Sequence, residues 1–147
     1  MKLNTASQVI SFARKLEEDG ASLYESLAEH NAKDREVLLG FAKENKRNLV
    51  QVERAYYGVI TDAIEGCFTF DIDSNEYAFN TNFAKKARYS DALSTAIDIE
   101  GIIVKFYSEA TEQSKSLLAD VARVFSIMAK KRDDRGQKLA SLLEKKD

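Results

Sequence analysis

The sequence predicts an all-α protein, an antiparallel four-helix bundle with one long crossover between its second and third helices. Three observations carry this. The 147-residue chain has no proline and only six scattered glycines, a composition that long uninterrupted helices tolerate and turn-rich β folds rarely show. Apolar residues recur at helical spacing through four long stretches. Two of the three connections are short, which forces antiparallel neighbours, and the middle one is long enough to cross the bundle.

Thr5 followed by Gln8 reads as a capping box. From there Ile10, Ala13, Gly20, Tyr24 and Leu27 share one face, giving a first helix from about Ala6 to His30. Asn31-Ala32-Lys33 is a break, in which Asn31 either ends one helix or caps the next. The second helix runs from about Asp34 to Ile64 on Leu38, Phe41, Val52, Ala55 and Val59, and Gly66 ends it. Phe68 to Phe83 is the crossover. Its start alternates apolar and polar residues, and Ser74-Asn75 is a turn signal. A short strand there would have nothing to pair with. Phe68, Phe70, Tyr77, Phe79 and Phe83, with Tyr56 and Tyr57, are expected to pack the crossover on the helices, with a homodimer face as their second use. Ser90-Asp91 opens a third helix, ending near Gln113, on Leu93, Ala96, Ile103, Tyr107 and Ala110. The fourth runs from about Ser116 to Glu144 with Phe125, Met128, Leu139 and Leu142 inward.

Length and composition fit one domain, residues 1–147, with 44% hydrophobic residues to fill a core. The formal net charge of −2, with acids and bases interspersed, offers no nucleic-acid footprint. The single cysteine, Cys67, allows no intrachain disulfide. No apolar leader and no transmembrane-length stretch is present, so a cytoplasmic protein without membrane partners is expected. His30 has no metal-ligand spacing to other residues and reads as a helix-terminal histidine. No phosphate-binding loop, nucleophile triad or zinc spacing appears.

Each apolar stripe is interrupted by polar residues where core residues belong: Glu17 in the first helix, Asn45 and Asn48 in the second, Glu100 in the third, Arg132 and Arg135 in the fourth. A spacing of three keeps each pair on one face. Glu17 lies 15 residues before Ala32, and Asn45 and Asn48 lie 13 and 16 after it. Glu100 lies 15 before Lys115, and Arg132 and Arg135 lie 17 and 20 after. At about 1.5 Å per residue, one polar layer crosses the middle of the core. The alternative is that Glu17 and Glu100 point outward, with Glu18 or Asp98 inward. The halves also repeat weakly: Leu16-Glu17 and Leu23-Tyr24 match Ile99-Glu100 and Phe106-Tyr107, and Phe41-Ala42-Lys43 matches Met128-Ala129-Lys130.

Glu17-x-x-Gly20-x-x-Leu23-Tyr24 and Glu100-x-x-Ile103-x-x-Phe106-Tyr107 resemble the single-glutamate helices of the ferritin-like, rubrerythrin-like di-iron carboxylate family. The resemblance covers about Ala6 to Leu143. It implies a ferritin-like bundle that commonly associates, hence a homodimer. It also implies that two further helices should each carry Glu-x-x-His, completing a site for two iron or manganese ions. This chain instead reads Asn45-Lys46-Arg47-Asn48 and Arg132-Asp133-Asp134-Arg135. Asparagine is a poor ligand for these ions, and guanidinium has no lone pair to give. The expectation is a degenerate di-iron site with no cofactor and no catalytic residue, in a non-enzymatic structural or binding module. Two arginines would balance two buried glutamates, and the asparagines would satisfy what remains. Two alternatives stay open. One is an iron or manganese oxidoreductase or peroxidase with an unusual ligand set, Glu17 and Glu100 holding any metal bound. The other is a small-molecule-binding bundle, whose ligand the sequence does not name.

Overall fold

The computed structural model describes residues 1–59, 68–116 and 118–145. The protein is all-α. Among the described residues four long helices, α1 (Ala6–Glu29), α2 (Arg35–Val59), α3 (Tyr89–Ser114) and α4 (Ala119–Glu144), enclose the core. α1 packs along α2 and α3 along α4, with further contact between α2 and α4 and between α1 and α3. No helix among the described residues is long and apolar enough to cross a membrane.

The local sequence explains both ends of α1. Thr5 accepts from the Gln8 amide, and the Gln8 side chain accepts from the Thr5 amide, so the expected capping box is present. At the other end Asn31 donates its side-chain amide to the Leu27 carbonyl at 2.7 Å, satisfying a terminal acceptor of α1 rather than capping the next turn. Two starts differ from expectation. α3 begins at Tyr89, whose hydroxyl donates to the buried Asp34, without a side-chain cap. α4 begins at Ala119 rather than near Ser116, because Leu118, in a non-helical conformation, is drawn into the core while Ser116 stays in solvent. The expected end of the second helix, Ile64 and Gly66, and Cys67 lie outside the described residues.

The crossover corrects one expectation. Ile72–Asp73 (β2) does pair, antiparallel with Lys2–Leu3 at the N-terminus (β1). A two-residue strand is too short for periodicity to reveal its partner. Gln113 of α3 clamps the same segment, accepting from the Asp71 amide and donating to the Asp71 carbonyl. Phe70 and Ile72 are buried, and Phe68, Tyr77, Phe79 and Phe83 pack half-buried against the core. Tyr56 also packs there, but Tyr57 is 72% exposed and only sets its ring edge-on to that of Tyr56.

Candidate functional site

The apolar stripes bury Leu16, Leu23 and Leu27 of α1, Leu38 and Val52 of α2, Leu93, Ile103 and Phe106 of α3, and Phe125, Met128 and Leu139 of α4. Between these layers lie the six polar residues singled out from the sequence. Glu17, Asn45, Asn48, Glu100, Arg132 and Arg135 are all at most 1% exposed, and the structure brings all six together. Glu18 and Asp98 face outward.

Their bonding is nearly complete. On Glu17, Oε1 accepts from Asn45 Nδ2 and Asn48 Nδ2, both at 3.0 Å, while Oε2 accepts from the Tyr107 hydroxyl and Arg132 Nη1, both at 2.7 Å. On Glu100, Oε1 accepts from Arg132 Nε, and Oε2 accepts from Arg132 Nη2 at 3.0 Å and the Tyr24 hydroxyl at 2.6 Å. One guanidinium therefore spans both carboxylates, bidentate on Glu100 and single on Glu17. Burial alone would draw the Arg132 pKa down, but Glu100 and Glu17 outweigh it and hold the group charged. For Tyr24 and Tyr107 burial, then the neighbouring carboxylate, pushes each phenol well above its ordinary range and outweighs the nearby arginines, which draw it down. Both stay neutral and donate.

Arg135 is held differently. Nη1 donates to Asn45 Oδ1 at 2.8 Å, and Nη2 donates to the Phe41 carbonyl at 3.2 Å and to Glu44 Oε1 at 2.6 Å. Nη1 stands 3.9 Å from Glu100 Oε2. Its guanidinium carbon sits 5.1 Å from the ring centroids of both Tyr24 and Phe41, within cation–π range. Its Nε is buried with no partner among the described residues.

Besides Tyr24 and Tyr107, sequence reasoning missed three participants. Glu44 precedes an inward residue, but its half-exposed position carries no periodicity signal. Lys131 reaches from α4 to Asn48 Oδ1 at 3.3 Å. Gly20 fits the apolar stripe of α1, yet its role is close approach. A Cβ there would stand 2.7 Å from Asn45 Nδ2 and 3.2 Å from Arg132 Nη2. The tyrosines could have been found as partners of the glutamates, because each lies seven residues beyond a glutamate and so shares its face.

As a metal centre the donor set does not fit. Four donors saturate Glu17, and Arg132 bridges Glu100 through both of its oxygens. The tyrosines are neutral, and a guanidinium lies between the two carboxylates. Among the described residues no group of three or more His, Cys, Asp or Glu side chains is placed to hold a metal ion. No family model, curated protein or solved structure matches this chain.

Proposed function

We propose that this chain is a ferritin-like, rubrerythrin-type antiparallel four-helix bundle in which an ion-pair network occupies the position of the family's two metal ions. On this reading it is a non-enzymatic structural or binding module. The observation that carries the reading is Arg132. Its fully buried guanidinium sits between Glu17 and Glu100, the two residues that match the family's single-glutamate helices. The direction of the cross-helix bonds supports the bundle topology. Glu17 meets Tyr107 and Glu100 meets Tyr24, so α1 and α3 run in opposite senses. Arg135 meets Asn45 and Lys131 meets Gln51, so α2 and α4 do likewise. With antiparallel hairpins on either side, α2 and α3 run parallel, which requires the long crossover.

Metal loading tests this. The purified chain, incubated anaerobically with ferrous iron or with manganese and then desalted, is expected to retain far less than one ion per chain by elemental analysis. The fourfold variant Asn45→Glu, Asn48→His, Arg132→Glu, Arg135→His restores Glu-x-x-His on α2 and α4 and is expected to retain about two. Stoichiometric metal in the unmodified chain would favour the oxidoreductase alternative. A folded fourfold variant without metal would mean that these positions were never ligand positions.

A further inference from the structure

On the outside of the molecule, touching the buried network only through Lys131 and its bond to Asn48, α2 and α4 border a groove of about 450 Å³. Among the described residues its lining is Lys46, Arg47, Val50, Gln51, Arg54 and Lys131: four cations, an amide and one aliphatic side chain, with no carboxylate, although Lys46 stands 3.8 Å from Glu25 Oε1 at the edge. The chain as a whole carries a net charge of −2, so this face departs from the average. The acids nearest in sequence are engaged elsewhere. Glu44 accepts from the buried Arg135, and Glu53 accepts from Arg14 of α1 at 2.9 Å. Arg47 and Arg54 are exposed, and neither guanidinium has a hydrogen bond or ion pair among the described residues. Both guanidiniums are therefore available to something negative from outside the chain.

The spacing says what that would be. Arg47 and Arg54 are seven residues apart, about 10.5 Å along the axis and on the same side of α2. Val50 and Gln51 lie midway, within reach of both side chains. Lys131 crosses from α4 and donates to Gln51 Oε1 at 2.9 Å. This occupies the acceptor end of the Gln51 amide and leaves its NH₂ as a donor. Two guanidinium side chains, an amide NH₂ and an ammonium thus line one groove with Val50, which is 45% exposed. Planar guanidiniums match the oxygens of a phosphate group in paired hydrogen bonds, and the apolar floor suits the group esterified to it.

We infer that the α2/α4 groove is a binding site for a phosphate monoester, its dianion held by Arg47, Arg54, Lys131 and Gln51 and its organic part resting on Val50.

The test uses the whole chain and calorimetric titration with inorganic phosphate and with phenyl phosphate. Phenyl phosphate is expected to bind the more tightly, about tenfold less so to Arg47→Gln/Arg54→Gln, and without change to Lys138→Gln, an exposed cation outside the groove. Affinity should fall between pH 8 and pH 5, as the dianion takes up a proton near pH 6. A parallel arm uses phosphatidylcholine vesicles with and without phosphatidic acid. Retention only by the phosphatidic acid vesicles, lost in the double variant, would assign the phosphate to a lipid headgroup rather than a free ester. Equal affinity of the unmodified chain and the double variant for both soluble probes, or no binding to any probe, overturns the site. Neither outcome bears on the metal-loading result, because no variant here touches the buried network.

Discussion

Arg132→Ala is expected to lower the free energy of unfolding by about 3–5 kcal/mol, the range for removing one member of a buried, hydrogen-bonded ion pair. The loss comes less from the three bonds themselves than from the groups they leave behind. Glu17 would keep Asn45, Asn48 and the Tyr107 hydroxyl. Glu100 would keep only the Tyr24 hydroxyl, with Arg135 Nη1 at 3.9 Å. Most of the penalty should therefore sit on Glu100, and adding Glu100→Gln should recover more of it than adding Glu17→Gln. Arg123→Ala is the reference. Arg123 pairs with Asp120 three residues away at 70% and 58% side-chain exposure, so its removal should cost about 0.5 kcal/mol or less. Urea unfolding monitored by circular dichroism measures both. For a chain of this size the Arg132 loss corresponds to a melting temperature lower by roughly 6–20 °C. An Arg132→Ala loss no larger than that of Arg123→Ala, or equal rescue by the two glutamine substitutions, would refute the account of the network.

Gly20→Ala should destabilise by about 1–3 kcal/mol despite alanine's better helix propensity, because its methyl group would meet Asn45 and Arg132 inside normal contact distance. Gly101→Ala, on an open face of α3, should instead stabilise by about 0.5–1 kcal/mol, and thermal melts of the two variants should shift in opposite directions. Tyr24 and Tyr107 have folded pKa values raised above the unfolded value near 10. Above that pH the unfolded chain therefore holds fewer protons than the native one. The stability they contribute is complete below pH 10 and falls as pH rises, by about 1.4 kcal/mol per unit for each tyrosine. Tyrosinate absorbance should show both ionising only as the helical signal is lost. Ionisation of all six tyrosines of the chain in the native state would count against this.

The range of each interaction decided whether the sequence disclosed it. Glu17, Glu100, Arg132 and Arg135 stood out because a charged residue in an apolar stripe breaks a strong periodic signal, and Asn45 and Asn48 did so at a spacing of three. The helices were legible for the same reason, to within three residues at the described ends. Glu44 and Lys131 were not legible. Each lies at the margin of its helix face, and its role depends on a side chain 91 or 83 residues away in sequence. The β1–β2 pairing is two residues long and joins Lys2 to Asp73 and Leu3 to Ile72, so no local pattern announces it. Leu118 shows a tertiary demand overriding a local one. Burying a leucine outweighs starting the helix at a serine.

The network is also asymmetric in a way that charge balance requires. The halves exchange tyrosine–glutamate bonds almost symmetrically, Tyr24 to Glu100 and Tyr107 to Glu17. Had α2 and α4 both supplied arginines at the inward positions, four guanidiniums would face two carboxylates deep in the core. Had both supplied asparagines, two carboxylates would be buried with no counter-charge. Either arrangement leaves buried charge uncompensated, at several kcal/mol. Amides from α2 and guanidiniums from α4 give two charges of each sign among the six, and Glu44 at the edge takes the outer face of Arg135. The same argument ranks the single changes the site will bear. Asn45→Asp would place a carboxylate beside Glu17, whose Oε1 now receives the Asn45 amide, and would lose that donor. It would keep Arg135 as a neighbour, but that guanidinium already serves Glu44 and stands near Glu100. Asn48→Asp would also lose its bond to Glu17, yet it would gain a cation not shared with the buried carboxylates, the Lys131 ammonium 3.3 Å from the present Asn48 Oδ1. Both should destabilise, Asn45→Asp the more. Because Lys131 is half-exposed, salt screens its attraction for the new carboxylate, and urea unfolding in 1 M salt should narrow the gap between the two variants. A gap that widens with salt, or an Asn48→Asp loss exceeding that of Asn45→Asp, would show that Lys131 does not compensate a charge at that position.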